Sequence, residues 1–462
     1  MQLTSPEYFI LLALVFFAYW FARRTGQFAV VVILCANYFF YAKWHPIYLG
    51  LIPLAASCDF FIGRALGQRK SRFLVSLSIL LNCGLILTSH YVPFLLDPFA
   101  AAHPKVSSWE WLLPLSLSFY AFQAMTYTID IYRGDATPST SLLSYLASVS
   151  FFPTIVAGPI TRVSKLLPQI ENTALKLSAE DGGRALFLIG LGLVKKLLIA
   201  DYLGENLVNR VFDLPKLYSG TETLLGAYGY TFQLYYDFSG YTDIALGSAL
   251  LLGIALPANF NRPYAALNIA DFWRRWHISL SNWLRDYLFF SLPGQRSRWL
   301  PYLNIFITFT LGGLWHGANW TFVIWGALHG TGLAVVRGLQ AMRGKRKPQP
   351  GAVMRALSIL VTFHFVVLTW VFFRSANLDT ALDVLRQIDS GTVSFANVTP
   401  GFWMVLGIAV LAHYVPAFWY KASVNLFTRV PAPVQAVALV ALIVGIRYVA
   451  ATGSAPFIYS RF

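Results

Sequence analysis

Two short segments, about forty residues apart, carry side chains suited to acid–base chemistry. The first runs from Asp271 to Leu288 and reads DFWRRWHISLSNWLRDYL, and the second runs from Leu314 to Trp320 and reads LWHGANW. Each places one histidine, His277 or His316, among tryptophans in an otherwise apolar sequence. Imidazole is the side chain whose ordinary pKa lies nearest to neutrality, so two histidines in a low-dielectric surrounding can exchange protons with a substrate. The two segments predict an acid–base site.

The first segment fits an amphipathic helix. At 3.6 residues per turn, one face is aromatic and apolar and the other is polar. The apolar face holds Trp273, Trp276, Leu280, Trp283, Leu284 and Tyr287, and the polar face holds Asp271, Arg274, Arg275, Asn282 and Arg285. An interfacial helix with aromatic anchors would show the same pattern. His277 lies on the tryptophan face, where it is either a hydrogen-bonded core residue or a working group.

The second segment predicts a helix break at His316. Gly312 and Gly313 precede it and Gly317 follows it, and glycines at such places let a ligand or another chain approach the backbone. Small residues for helix packing, with an interhelical hydrogen bond from the histidine, are the alternative. We expect structural roles for the other histidines, namely His45, His90, His103, His329, His364 and His413.

A third stretch, from Tyr230 to Gly247, carries polar side chains through an aromatic context and reads YTFQLYYDFSGYTDIALG. Its polar residues are Gln233, Asp237, Ser239 and Asp243. Carboxylates in membrane segments usually mark a pathway, a pair or a substrate contact. We expect at least one of the two aspartates to pair with an arginine of the amphipathic helix. The predicted substrate-contacting residues are Trp315, Trp273, Trp276, Gln233, Asp237, Ser239 and Asn319.

Composition places these motifs in a polytopic membrane protein. The 462 residues are 57% hydrophobic and only 12% charged, with a mean hydropathy of +0.57, whereas about a quarter of the residues of a soluble domain are charged. We predict an all-α chain, 1–462, forming one domain with about eleven transmembrane or re-entrant helices. Their centres lie near Phe17, Ile33, Leu54, Leu80, Leu117, Phe151, Leu191, Leu246, Ile324, Val366 and Ile408, and a final apolar segment follows Pro433.

Basic residues predict the orientation, because Lys and Arg of short loops stay on the cytoplasmic side. They cluster after the first span, after the third span and in the loop that contains Arg343 and Lys347. Both termini are therefore predicted to lie outside. The net charge of +15 then reflects loops that face anionic lipid, and no compact basic and aromatic module indicates nucleic-acid binding. The three cysteines have no ligand-like spacing and predict neither a disulfide framework nor a metal site.

Taken together, the motifs resemble the signature regions of the membrane-bound O-acyltransferase family. The similarity is to its bacterial branch, which O-acetylates exported polysaccharides such as alginate or cellulose. Besides the two histidine segments, it rests on LPLSLSFYAFQAMTYTIDIYRG at Leu113–Gly134, FFPTIVAGPITR at Phe151–Arg162, YYDFSGYTDIALG at Tyr235–Gly247 and WVFFR at Trp370–Arg374. Teichoic acid D-alanyltransferases share the histidine elements, so D-alanyl transfer from a carrier protein stays an alternative. A secondary transporter is an alternative of another class.

The resemblance implies a bowl-like helical core with a central tunnel, in the cytoplasmic membrane of a bacterium. It also implies that His316 is the principal catalytic residue, with His277 as a second polar position. We expect His316 to act as general base on the acceptor hydroxyl and His277 to orient or polarise the acyl carbonyl. No bound cofactor is implied. The substrates are an acyl thioester, either acetyl-CoA or an acyl carrier, and an exported polysaccharide, with an extracytoplasmic acetyltransferase as partner.

The chain ends in PFIYSRF, from Pro456 to Phe462, which is similar to the ending of polysaccharide-acetylating family members. The resemblance implies that Tyr459 receives the acyl group and passes it to the partner enzyme. The sequence departs from that pattern at Ser460 and Arg461. An aromatic anchor at the membrane interface is the alternative interpretation of Tyr459.

Overall fold

The computed structural model describes residues 1–23, 27–43, 45–102, 115–155, 158–172, 174–343, 351–449 and 457–458. Throughout these ranges the regular structure is helical and no strand occurs, which confirms the all-α prediction. Twenty-one α-helices are present in the described ranges, joined by short 3₁₀ and π-helical segments. The α-helices are α1 (Pro6–Ala22), α2 (Gln27–Ala42), α3 (Tyr48–Gln68), α4 (Arg72–Ala102), α5 (Leu115–Arg133), α6 (Leu142–Val149), α7 (Phe152–Ile155), α8 (Val163–Glu171), α9 (Ala179–Leu193), α10 (Asp201–Leu203), α11 (Asn209–Asp213), α12 (Gly220–Leu251), α13 (Ile269–Trp273), α14 (Ile278–Trp283), α15 (Leu300–His316), α16 (Trp320–Arg343), α17 (Ala352–Arg374), α18 (Leu378–Asp389), α19 (Pro400–Tyr414), α20 (Ala417–Arg429) and α21 (Ala432–Val449).

The described residues do not confirm the predicted count of about eleven transmembrane or re-entrant helices. By length and composition, α3, α16 and α17 qualify as candidate spans among the described residues, and α19 with α20, bent by 95°, forms a fourth candidate if the pair is one span. Five shorter apolar helices, in α1, α2, α4, α6–α7 and α21, lie near predicted centres. None of the predicted centres falls within α15, although the predicted helix break at His316 lies at its end.

Helix α12 runs through the centre of the molecule. Its first turn is closed by a capping box in which Ser219 and Glu222 satisfy each other's backbone N–H groups, at 3.2 Å and 2.9 Å. Most of its side chains are buried, including nearly all of the segment from Tyr230 to Gly247. Gly240 packs against the backbone of Gly192, where a Cβ atom would meet the Gly192 carbonyl oxygen at 2.8 Å. This close approach brings the segment that follows α9 against the middle of α12.

Helices α15 and α16 pack tightly against each other and place His316 at the end of α15. Gly313 of α15 faces the backbone of Phe322 in α16 so closely that a Cβ atom would overlap its carbonyl oxygen. Gly313 therefore serves helix packing, as the alternative interpretation held for the small residues of this segment. The glycines flanking His316 also fit the predicted break, because α15 ends at His316 and α16 begins only at Trp320.

The continuous amphipathic helix predicted for Asp271 to Leu288 is wrong. Helix α13 ends at Trp273, α14 begins at Ile278, and a π-helical turn follows from Leu284 to Leu288. The chain breaks at His277, whose backbone is left-handed, with φ 43° and ψ 55°. The predicted division of this segment into a buried apolar face and an exposed polar face nevertheless agrees with most of its side chains. Trp273, Trp276, His277, Leu280, Leu284 and Tyr287 are buried, whereas Arg274, Asn282 and Arg285 are exposed.

Candidate active site

His277 stands out by its backbone as well as its burial. It and Arg262 are the non-glycine residues with positive φ in the described part of the chain. A left-handed backbone costs an L-residue about 1–2 kcal/mol, so neighbouring bonds must hold it. The backbone N–H of Ile278 donates to the carbonyl oxygen of Asn259 at 2.9 Å. Such strain is commonly found at functional sites, where it sets the direction of a side chain.

The side chain of Asn259 selects the tautomer of neutral His277. Its Oδ1 accepts from the backbone N–H of Ser279 at 3.1 Å and from the Ser279 hydroxyl at 2.9 Å. A backbone N–H can only donate, so Asn259 Oδ1 is the acceptor, and His277 Nδ1, 3.2 Å away, must carry the proton it donates. In its neutral form, His277 is therefore an Nδ1–H imidazole with a lone pair on Nε2. In the described part of the molecule, that Nε2 has no hydrogen-bond partner.

Aromatic rings enclose this imidazole. Phe119 of α5 stacks on His277 with ring centroids 6.3 Å apart, and Phe238 of α12 meets it edge-on at 4.7 Å. His277 is 1% exposed. An imidazole buried among hydrocarbon rings and without a neighbouring carboxylate stays neutral, because the charged form would lose its hydration.

His316 lies in a second aromatic enclosure at the end of α15. The rings of Trp315, Phe373 and Trp325 have centroids 4.5, 4.9 and 5.1 Å from its own. The side chain is buried. The loop that follows is tied down by Asn319, whose amide donates to the carbonyl oxygen of Ala376 at 2.6 Å.

The two enclosures are contiguous. Phe119, which stacks on His277, also contacts the indole of Trp315 with centroids 6.3 Å apart, and Trp315 immediately precedes His316. Trp315 is further packed on Phe122 at 5.2 Å. Its indole N–H is buried and has no acceptor among the described residues. A lone pair on one histidine and an unpaired N–H donor beside the other thus belong to one aromatic region.

Some of the residues predicted to contact substrate make contacts within the protein. The Trp273 indole donates its N–H to His329 Nδ1 at 3.2 Å, and Trp276 packs on Trp370 at 5.1 Å with 1% exposure. Asn319 uses its amide on Ala376 and its Oδ1 on the Thr321 backbone. These three side chains therefore also stabilise the fold around the site, and their contact with substrate stays a prediction.

Two other histidines have structural partners, as predicted. His329 accepts the Trp273 indole N–H, and His413 Nε2 accepts the backbone N–H of Tyr264 at 3.1 Å. Both lie in aromatic surroundings. These contacts support the interpretation of the two residues as hydrogen-bonded core histidines.

The polar residues of α12 divide between two faces. Asp237 forms an ion pair with Lys196 at 2.5 Å, and Asp243 forms one with Lys195 at 2.6 Å. Neither aspartate pairs with an arginine of the Asp271–Leu288 segment, so that expectation is wrong. Within that segment, the nearby arginines bind Asp271 instead. Arg275 Nε, for example, lies 3.1 Å from the Asp271 carboxylate.

Gln233 shares the Asp237 face, one helical turn earlier, and packs against Gly204. Ser239 and Asp243 face a cavity of about 800 Å³ between α9, α12, α19 and α20. Asn259 and Arg262 also line this cavity, so the side chain that orients His277 forms part of its wall. The four polar residues of the stretch therefore do not form one pathway.

Asp271 anchors the arginine-rich turn outside the spans named above. Its carboxylate accepts from the backbone N–H of Leu267 at 3.1 Å, and its own N–H donates to Asn268 at 2.9 Å. Burial opposes the charge on the carboxylate. The hydrogen bonds from Arg275 and Leu267 outweigh burial, so the pKa of Asp271 lies below its ordinary value.

Sequence reasoning missed Asn259 and Lys196. Asn259 lies eighteen residues before His277, in a loop with no motif of its own, and Lys196 is 41 residues from Asp237. Neither has a sequence signal, because the folded chain alone brings the partners together. Tyr459 lies outside the described residues, although the two residues before it, Phe457 and Ile458, are described and buried.

Comparisons with known proteins bear on this site. Residues 135–377, which include both histidines, match the model of the membrane-bound O-acyltransferase family. The probable alginate O-acetylase AlgI of Azotobacter vinelandii is 39% identical over 395 residues, covering 82% of this chain and 76% of that protein. The peptidoglycan O-acetyltransferase of Helicobacter pylori is 37% identical over 386 residues, covering 77% and 72%. The teichoic acid D-alanyltransferase of Bacillus subtilis is 29% identical over 309 residues, covering 63% and 77%.

Proposed function

We propose that this chain, which belongs to the membrane-bound O-acyltransferase family, transfers an acetyl group from a thioester donor toward a hydroxyl group of an exported polysaccharide. The observation that carries the proposal is the shared aromatic enclosure of His277 and His316, joined through Phe119 and Trp315. Membership of an enzyme family also removes the reason to favour a transporter.

The chemistry requires a base and a hydrogen-bond donor. A thioester is already activated, so the barrier lies in removing the hydroxyl proton and in stabilising the oxyanion that forms. His316 takes the proton as the hydroxyl oxygen attacks the carbonyl carbon. The C–S bond then breaks, a C–O ester bond forms, and the thiol leaves with the proton that His316 returns.

The hydrogen-bond geometry of His277 changes the role expected from the sequence. Because its Nδ1–H is given to Asn259, the neutral ring offers a lone pair and no N–H to a ligand. It therefore cannot polarise a carbonyl, which needs a donor. We propose that His277 Nε2 accepts a hydrogen bond from an N–H or O–H group of the thioester donor and so holds the acyl group beside the hydroxyl that His316 deprotonates. The unpaired indole N–H of Trp315 is the donor that we assign to the oxyanion.

In this proposal, the acyl donor and the final acceptor lie on opposite sides of the membrane. The thioester, either acetyl-CoA or an acyl carrier, comes from the cytoplasm, and the acetyl group leaves through Tyr459 to an extracytoplasmic acetyltransferase that modifies the polysaccharide. The basic loops and the net charge of +15 support the orientation, and similarity to O-acetylases of two polymers supports the acceptor class. This proposal implies that the protein is located in the cytoplasmic membrane of a bacterium.

D-alanyl transfer is the alternative acyl group, favoured by the similarity to a teichoic acid D-alanyltransferase. Purified protein in lipid nanodiscs, supplied with acetyl-CoA, with an acetylated carrier protein or with a D-alanyl carrier protein, distinguishes the two. We expect thiol release from at least one of the two acetyl donors and none from the D-alanyl carrier. The reverse preference would replace the acetyl proposal, and no thiol release from any of the three donors would contradict both.

A further inference from the structure

Asp237 uses its two carboxylate oxygens on different parts of the chain. Oδ1 binds the ammonium group of Lys196 at 2.5 Å, and Oδ2 accepts the backbone N–H of Ile458 at 3.0 Å. The first bond connects α12 with the π-helical segment after α9, and the second connects it with a residue 221 positions away. One buried side chain thus joins the ion pair to the C-terminal tail, which here denotes Phe457 and Ile458.

The carboxylates at this ion pair outnumber the ammonium groups. Lys196 also binds Asp201 Oδ1 at 2.7 Å, so one ammonium group serves two carboxylates. Lys196 is 1% exposed and Asp237 is 2% exposed, so neither group contacts bulk water appreciably. A backbone N–H from the tail therefore satisfies an oxygen that would otherwise remain buried without a partner.

The tail also contacts the enclosure of His277. The Phe457 ring packs on Tyr241 and Phe238, with centroids 4.7 Å and 5.5 Å apart. Phe238 is the ring that meets His277 edge-on at 4.7 Å. Only one aromatic side chain therefore separates the tail from the imidazole.

We propose that Asp237, held by Lys196, is a positioning residue that seats the C-terminal tail in one register beside the histidine site. The contact is made to a main-chain N–H, so it sets the position of the chain whatever the side chain at 458. The residue that follows Ile458 is Tyr459. The inference rests on the proposed function, in which the Tyr459 hydroxyl is the first acceptor. In that step its O–H bond and the thioester C–S bond break, an ester C–O bond forms, and the thiol leaves with the proton.

The chain contains a matched control for the ion pair. Lys195 and Asp243 are joined at 2.6 Å between the same two elements, and Asp243 lies six residues after Asp237 on α12. Asp243 faces the cavity described above instead of the tail. A defect in tail seating should follow from changes at Asp237 and not from the same change at Asp243.

The most selective variant is Ile458→Pro, which removes the backbone N–H while leaving the buried ion pair intact. Ile458→Ala is its control, because it shortens the side chain and keeps the N–H. Chymotrypsin trimming after Tyr459 in the protein in nanodiscs, followed by mass spectrometry, measures tail seating without any thioester, and a proline just before Tyr459 does not block that cut. We expect Ile458→Pro to be trimmed at this bond at least tenfold faster than Ile458→Ala. Asp237→Asn, compared with Asp243→Asn, should show the same contrast.

Acyl transfer to the polysaccharide is measured on the same variants. Ile458→Pro should lower kcat at least tenfold and leave the KM for the thioester unchanged, as expected when an acceptor is misplaced and the donor still binds. Equal trimming of Ile458→Pro and Ile458→Ala would overturn the seating. Faster trimming with unchanged kcat, in a protein that Tyr459→Phe inactivates, would overturn the positioning role and leave the proposed function standing. Full activity of Tyr459→Phe would instead overturn the relay on which the inference rests.

Discussion

The left-handed backbone of His277 permits a test that separates the contribution of its side chain to activity from the contribution of its backbone conformation to stability. His277→Gly and His277→Ala both remove the imidazole, but only alanine is strained at φ 43°. The two variants should therefore differ in stability by about 1 kcal/mol, with glycine the more stable. They should not differ in activity if the imidazole alone contributes to the reaction.

The proposed role of His277 predicts the size of the activity loss. One hydrogen bond from the thioester donor to His277 is worth about 0.5–1.5 kcal/mol, or up to roughly a tenfold change in rate. His277→Asn keeps an acceptor and is also tolerated in the left-handed region, so it should stay closer to wild type than either small variant. The measurements are thermal unfolding in detergent and thiol release from acetyl-CoA. An Asn variant as inactive as the Ala variant, or a Gly variant as active as wild type, would refute the assignment.

Three further predictions concern the rest of the site. His316→Ala and His316→Asn should both reduce acyl transfer by about a hundredfold to ten-thousandfold, because neither replaces a general base, whereas the exposed His364→Ala should not; thiol release checks this. Trp315→Phe should lower kcat more than Trp370→Phe, another buried indole without an acceptor in the described chain, if the Trp315 N–H serves the oxyanion. Tyr459→Phe should bind donor yet fail to acylate the polysaccharide, which mass spectrometry of the polymer would show.

Local sequence patterns predicted the features that depend on neighbouring residues. The apolar composition gave a helical membrane protein, and the glycines around His316 gave the break between α15 and α16. The aromatic periodicity identified the buried side of the Asp271–Leu288 segment even though the helix is not continuous. That interruption had no sequence signal, since a left-handed histidine depends on bonds from Asn259 and not on a glycine at the position.

Partners distant in sequence could not be predicted from a single chain. The expectation that an arginine would pair with an α12 aspartate followed from charge alone, but the close approach of Gly192 and Gly240 brings Lys195 and Lys196 there instead. Similarly, the indole and imidazole side chains in the sequence indicate an aromatic site. Which of them are already hydrogen-bonded within the protein is seen only in the folded structure. Trp273 is an example, because its only hydrogen-bond donor, the indole N–H, is already given to His329.

The central claim is that the buried histidine site transfers an acyl group from a thioester to a hydroxyl. The most direct measurement is a single-turnover reaction of the purified protein with acetyl-CoA carrying an isotopically labelled acetyl group. Thiol release and the label on the C-terminal peptide are followed together. The account predicts equal amounts of both, with a labile ester on Tyr459, and neither in His316→Ala. Thiol release and ester formation that persist undiminished in His316→Ala would contradict it.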